Sequence, residues 1–128
     1  MILTRGELLG LTTRRYRLVH LPDGDVRIRS LTESEKTDFE ASILNTKGDY
    51  SLSKMKAQRR RLIALCLVDD KHNLLLQPGD EELLKNIDGA IASRLYDECR
   101  EHCGFEEGDI EDLVKNSASV PANDSPTD

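Results

Sequence analysis

The sequence predicts an α+β domain, in which a small antiparallel β-hairpin or three-stranded sheet packs on about four helices, followed by a disordered C-terminal tail. Three observations lead there. Two short runs, Arg15 to Leu21 and Asp25 to Leu31, alternate apolar and polar residues around the turn signal Pro22-Asp23-Gly24-Asp25. Thr32-Glu33-Ser34-Glu35 has the spacing of a capping box: the Thr32 hydroxyl accepts from the Glu35 amide while the Glu35 carboxylate accepts from the Thr32 amide. The seven residues Leu62 to Val68 are apolar without a break, as in a segment buried on every side. A chain of 128 residues holds one such domain, read here as residues 1–116, with 117–128 as the tail.

Taken in order, Met1 to Thr13 forms at most a short, loosely held helical turn, because Gly6 and Gly10 interrupt Leu8, Leu9 and Leu11. In the hairpin, Asp23-Gly24 at the tip pairs Leu21 with Val26 and Val19 with Ile28 on an aliphatic face. That register sets Leu18 and His20 opposite Arg29 and Arg27 on the outer face. The capped helix runs to about Leu44 with Phe39 and Ile43 inward, and the turn-rich stretch Asn45 to Ser53 is a mobile tip. A central helix from Ser53 to Val68 carries Met55, Arg59, Leu62 and Cys66 on one stripe.

Beyond it, Asp69 to Asn73 is a polar turn, and Leu74-Leu75-Leu76 is a candidate third strand. Pro78-Gly79 breaks the chain, after which Asp80 caps a short helix over Glu81 to Lys85. Ile87 to Cys103 is amphipathic, with Ile91, Ala92, Leu95, Tyr96, Cys99 and Cys103 on one face and Gly104 ending it. Asp109 caps a final helix, Ile110 to Lys115, and the small polar residues from Asn116 onward form the disordered tail.

The net charge of −6 is unevenly spread. From Arg5 to Arg29 six Arg face three acidic residues, whereas from Asp69 to Asp112 fourteen acidic residues face four basic ones. Such a chain can draw its two halves together or associate head to tail with its copies. The acidic balance argues against nucleic acid as the main partner. Three Cys, no secretory signal and no apolar run near 18 residues point to a reducing cytosol and no membrane span.

Chemistry-bearing constellations are sparse. Cys99, His102 and Cys103 share one helix, but structural zinc takes four ligands, usually from two separate pairs, and buried Cys behave as small apolar residues. No metal or cofactor is expected. His20, His72 and His102 come from separate elements and no nucleophile motif surrounds a Ser or Cys, so the chain is not read as an enzyme. The sharpest charge cluster is Lys54, Lys56, Arg59, Arg60 and Arg61, which spreads around a helix and lacks interleaved aromatics. The candidate partner-binding residues are therefore Arg27 and Arg29 on the outer hairpin face and Lys54, Lys56, Arg59 and Arg60, with a structural role as the alternative for Arg59.

Four segments together resemble the tail assembly chaperones of long-tailed bacteriophages. LTRGELLG is similar to the start of that family, and RYRLVHLPDGDVRIRSLTESEKTDFEASI looks like its strand, turn, strand and capped helix ending in an acid-rich E-x-x-x-F-E phrase. RRRLIALCLVDDKHNLLLQPGDEELL resembles its R-x-x-L-I-A-L phrase with the following acidic turn and Leu run. RLYDECREHCGFEEGDIEDLVKN resembles its last long helix and closing acidic helix. The match covers about residues 2–116 in order, and departs from the family at the hairpin tip, where Leu21-Pro22-Asp23-Gly24 replaces a turn that often has an aromatic and glycines.

The resemblance implies a non-enzymatic assembly factor in the bacterial host cytoplasm that coats the tape-measure protein, keeps it soluble, recruits tail-tube protein and leaves before the virion is complete. The phage or prophage origin is part of that expectation. Self-association along a filamentous client fits the charge distribution. The reading from another class is a small regulatory or nucleic-acid-binding protein using the basic cluster at 54–61.

Overall fold

The structure, a computed structural model, describes residues 1–44 and 52–119, with side chains over 1–44 and 55–116. The elements follow the order α1 (Arg5–Leu9), β1 (Tyr16–Leu21), β2 (Gly24–Arg29), α2 (Glu33–Leu44), α3 (Leu52–Cys66) and β3 (Leu67–Val68). A 3-10 helix (Asp80–Asn86), α4 (Gly89–His102) and α5 (Asp109–Ser119) complete the α+β fold. The expected mobile tip, Asn45 to Ser53, falls largely outside the described residues.

The sheet is antiparallel in the order β1-β2-β3. Its hairpin register differs from the expected one by two residues: Val19 pairs with Val26, Leu18 with Arg27 and Leu21 with Gly24, so that Pro22-Asp23 make the loop. Proline explains the difference. With Asp23-Gly24 at the tip, Pro22 would occupy a paired strand position without an N–H to donate, whereas at the first loop position its preset φ favours the turn. Gly24, at φ 148°, then supplies a backbone conformation that side chains resist. A shift of two preserves the faces, and Val19 and Ile28 still point into the core.

The third strand is also not where it was expected. Helix α3 ends at Cys66, and Leu67-Val68 pairs directly with Ile28 and Arg27. The run Leu74-Leu75-Leu76 forms no strand: Leu74 makes an isolated bridge to Val68, and the Leu75 amide donates to the Leu67 carbonyl at 3.0 Å. A continuous apolar run has no period, so it does not distinguish a buried helix end from a buried strand. Between these segments Asp69 Oδ1 accepts from the amides of Lys71 and Asn73 at 2.8 and 3.0 Å, and His72 takes a left-handed φ of 69° while stacking on Tyr16.

The α2 capping box forms as expected, with Glu35 N–H to Thr32 Oγ1 at 3.2 Å and Thr32 N–H to Glu35 Oε1 at 2.9 Å. Glu35 also takes both terminal nitrogens of Arg14, at 2.6 and 2.8 Å, which ties the start of α2 to the residues before β1. These bonds, the Arg14 guanidinium foremost, hold the Glu35 carboxyl down at about 2. Asp80 does not cap the 3-10 helix; its carboxylate accepts from the Gln77 amide and Gly79 occupies the cap position. Asp88 caps α4 instead, accepting from Ala90 and Ile91.

The core lies between the inner sheet face and the helices. Phe39 and Ile43 of α2, Leu62, Ile63 and Cys66 of α3, Leu95, Tyr96 and Cys99 of α4, and Ile110 and Val114 of α5 surround Val19 and Ile28. Phe39 meets Phe105 edge to face at 5.8 Å, and Lys36 Nζ lies 4.8 Å from the Phe105 ring centroid. Helix α5 continues to Ser119, so the tail expected from 117 is helical over its first three residues; 120–128 lie outside the described residues. By contrast α1, closed by a Thr4–Glu7 capping box, buries none of its residues.

The basic early and acidic late parts of the chain meet within one molecule. Arg17 pairs with Glu98 at 3.0 Å and Glu101 at 2.9 Å, joining β1 to α4. Among the described residues no helix is long and apolar enough to cross a membrane.

Candidate functional site

Helix α3 shows why its charges do not act as one patch. Lys56, Arg59 and Arg60 stand three and four residues apart, hence on one side. Ile63 follows one turn later and faces inward. Across from them α4 begins with Gly89 and carries Ala92 and Ser93, small residues that leave room between the helices. The 3-10 helix closes one end with Leu84 and Lys85, and Ile87 follows it. Together these residues line an open groove of about 340 Å³.

Its floor is Ile63, Leu84, Ile87 and Ala92, and its rim is Lys56, Arg59, Arg60 and Lys85. Among the described residues no carboxylate lines it. The Arg59 guanidinium sits 4.7 Å above the centre of the Tyr96 ring, and its Nη2 donates to Ser93 Oγ at 3.3 Å. Burial, more than the nearby Glu111, pushes the Tyr96 phenol well up, so the ring beneath Arg59 stays neutral. Arg59 is therefore both structural and part of the rim. Arg60 Nη2 lies 3.6 Å from Glu82, while its Nε is buried without a hydrogen-bond partner among the described residues. Lys56 and Lys85 are exposed and make no ion pair among the described residues.

The other candidate residues are elsewhere. Arg29 is largely covered, its side chain 12% exposed, with Nε donating to the Leu65 carbonyl at 2.8 Å and Nη2 3.8 Å from Glu35. It joins β2 to the end of α3 and to α2. Arg27 donates to the Asp70 carbonyl at 3.3 Å and borders a separate depression of about 250 Å³ rimmed by Asp25, Asp69 and Asp70. An acidic partner would be repelled there. The side chain of Lys54 lies outside the described residues. Arg61 faces a third depression, with Leu65, Leu76 and Glu81.

Thus the structure gathers three of the six sequence candidates, Lys56, Arg59 and Arg60, and adds Lys85, Leu84 and Ile87, which sequence reasoning passed over. The signal for them was present as a basic residue and an apolar one flanking the break before α4.

The cysteines are core residues. Cys66 Sγ lies 3.4 Å from Cys103 Sγ, and Cys99 is equally buried. At Cys66 the pull of the Cys103 thiol toward ionisation is outweighed by Cys99 and by burial, and the net effect pushes the thiol well up. At Cys103 the Cys66 thiol and burial both act upward. His102 turns from them to Arg15, and among the described residues no three His, Cys, Asp or Glu are placed to hold a metal ion. In comparisons with protein-family models, curated proteins and solved structures, nothing matches this chain.

Proposed function

We propose that the chain is a non-enzymatic tail assembly chaperone of a long-tailed phage or prophage. In this reading it binds the tape-measure protein in the host cytoplasm and recruits tail-tube protein, using contacts between proteins and no cofactor. The observation that carries the reading is the ordered run of four family-like phrases over about residues 2–116. The phrases fall on α1, on the hairpin with α2, on the second half of α3 through most of the 3-10 helix, and on the later part of α4 with most of α5.

Two features support a role in binding proteins. The N-terminal segment exposes Ile2, Leu3, Leu8, Leu9 and Leu11 in one short stretch, and such apolar exposure serves protein contacts. The groove beside α3 combines an apolar floor with a cationic rim, the chemistry of a protein-docking surface.

The test is co-expression with the tape-measure protein encoded downstream. The long client is expected to become soluble only with this chain and to co-purify with it. A client equally insoluble with or without the chain overturns the reading. Retention of the chain on immobilised DNA at moderate salt would favour the regulatory alternative that uses the cluster at 54–61.

A further inference from the structure

We infer that the groove between α3, the 3-10 helix and α4 is a docking site for an acidic, leucine- or isoleucine-bearing peptide segment of a partner protein. The inference goes beyond the chaperone reading and stands on the groove alone. Its first ground is charge. In a chain of net charge −6, four cations, Lys56, Arg59, Arg60 and Lys85, converge on one concavity whose lining among the described residues holds no carboxylate. Only Arg60 among them has an ion-pair partner in the described structure, Glu82 at 3.6 Å, and that carboxylate is itself largely exposed. Like charges gathered this way raise one another's energy, and an incoming carboxylate relieves it.

The second ground is the floor. Ile63, Leu84, Ile87 and Ala92 offer an apolar surface, and about 340 Å³ accommodates one or two large aliphatic side chains. An occupant must therefore bring apolar groups flanked by carboxylates, as an amphipathic acidic helix does when it lays its apolar face into a groove. A polynucleotide fits worse. Its phosphates would meet the rim, but among the described residues the groove's own lining offers no aromatic face for stacking a base, and the molecule's overall charge repels a polyanion at distance. Arg59 is held in place by Tyr96 and Ser93, so part of the rim is preorganised and less entropy is lost on docking.

The experiment uses the full chain and a fluorescein-labelled synthetic peptide with Leu at i, i+3, i+4 and i+7 among Glu residues, read by fluorescence anisotropy. Comparison peptides replace every Glu by Lys or every Leu by Ser. Binding is expected for the Leu/Glu peptide alone, with a Kd of roughly 10–100 μM that weakens with added salt. The double variant Lys56→Glu/Lys85→Glu should weaken it about tenfold, since both side chains are exposed and their reversal leaves the core untouched. Lys115→Glu, the same charge change on α5, should leave the Kd as it was.

Several results overturn the inference. They are no binding of the Leu/Glu peptide, equal binding of either comparison peptide, or binding that the double variant retains. Tighter binding of a single-stranded oligonucleotide, sensitive to the same variant, would assign the groove to nucleic acid instead. If the chain sediments as a dimer that the double variant dissociates, the occupant is a second copy.

Discussion

Arg15 and His102 hold each other across 87 residues of sequence. Arg15 Nη2 donates to the His102 carbonyl at 2.7 Å, and the His102 ring donates from Nε2 to the Arg15 carbonyl at 3.0 Å. The other ring nitrogen, Nδ1, faces Arg15 Nη1 at 3.5 Å and is thereby assigned as an acceptor. The pair fastens the C-terminal end of α4 to the segment leading into β1, and its Nδ1 contact with Arg15 requires a neutral imidazole.

A pH dependence follows from that requirement. Burial above all, opposed by the hydrogen bond to the Arg15 carbonyl, holds the His102 pKa below its ordinary 6.5. Above 6.5 the imidazole is neutral in the folded and unfolded chains alike, and the full stability is present. As pH falls through 6.5 toward the lower folded value, the unfolded chain takes up a proton that the folded chain refuses, and stability declines. Urea midpoints measured across this window should fall with pH, and His102→Gln should flatten that part of the curve. A curve that keeps its full slope in the variant would assign the effect elsewhere.

Glu35 produces a second, more acidic window of the same sign. Its carboxyl, lowered from 4.5 to about 2, contributes stability that is complete above 4.5 and is lost as pH falls toward 2. At neutral pH, Glu35→Ala removes the return arm of the capping box and the partner of Arg14, which should cost about 1–2 kcal/mol. In a double-mutant cycle Arg14→Ala and Glu35→Ala should be strongly non-additive; additive losses would show that the bidentate pair contributes nothing.

The three thiols supply a measure of core integrity. Cys66, Cys99 and Cys103 are buried, and Cys66 and Cys103 are pushed up away from the reactive thiolate form. A disulfide-exchange reagent should therefore react with the folded chain only as fast as the core opens, and at once in guanidinium. Rapid stoichiometric labelling in native buffer would contradict the packing around Cys66.

The N-terminal segment separates stability from binding. Since α1 buries none of its residues, removing residues 1–11 should leave the urea midpoint within about 0.5 kcal/mol of the full chain. The same deletion should reduce solubilisation of the tape-measure client, because it removes Leu3, Leu8, Leu9 and Leu11 from the surface. A large loss of stability would instead mean that the segment packs on the domain.

What was legible in the sequence was what is decided locally. The Thr32–Glu35 capping box lies within four residues and depends on nothing distant. The inward stripe of Phe39 and Ile43 and the apolar face of α4 follow from helical period alone. Misreadings arose where a distant partner decides. Leu67 and Val68 leave the helix because β2 offers them unpaired backbone, and no pattern in the run Leu62 to Val68 announces that edge. Arg29 looks like a surface charge until α2 and α3 close over it. The groove was half visible: the α3 cations lie in one cluster, but Lys85 and Ile87 join them only through the packing of the 3-10 helix against α3. The amphipathic pattern hides Asp88 as a cap because its apolar face extends back to Ile87, two residues before α4 begins at Gly89.

The passage from Cys66 at the end of α3 to Leu67 at the start of β3 has no linker. The helix bearing the groove and the strand paired to the hairpin are thus one rod bent at a single peptide unit. A load that tilts α3 must turn Leu67 and Val68 with it, and through them the ladder at Arg27 and Ile28. The molecule answers such a load as a crank rather than as a helix on a tether, and its sheet sets the stiffness against which anything seated beside α3 must push.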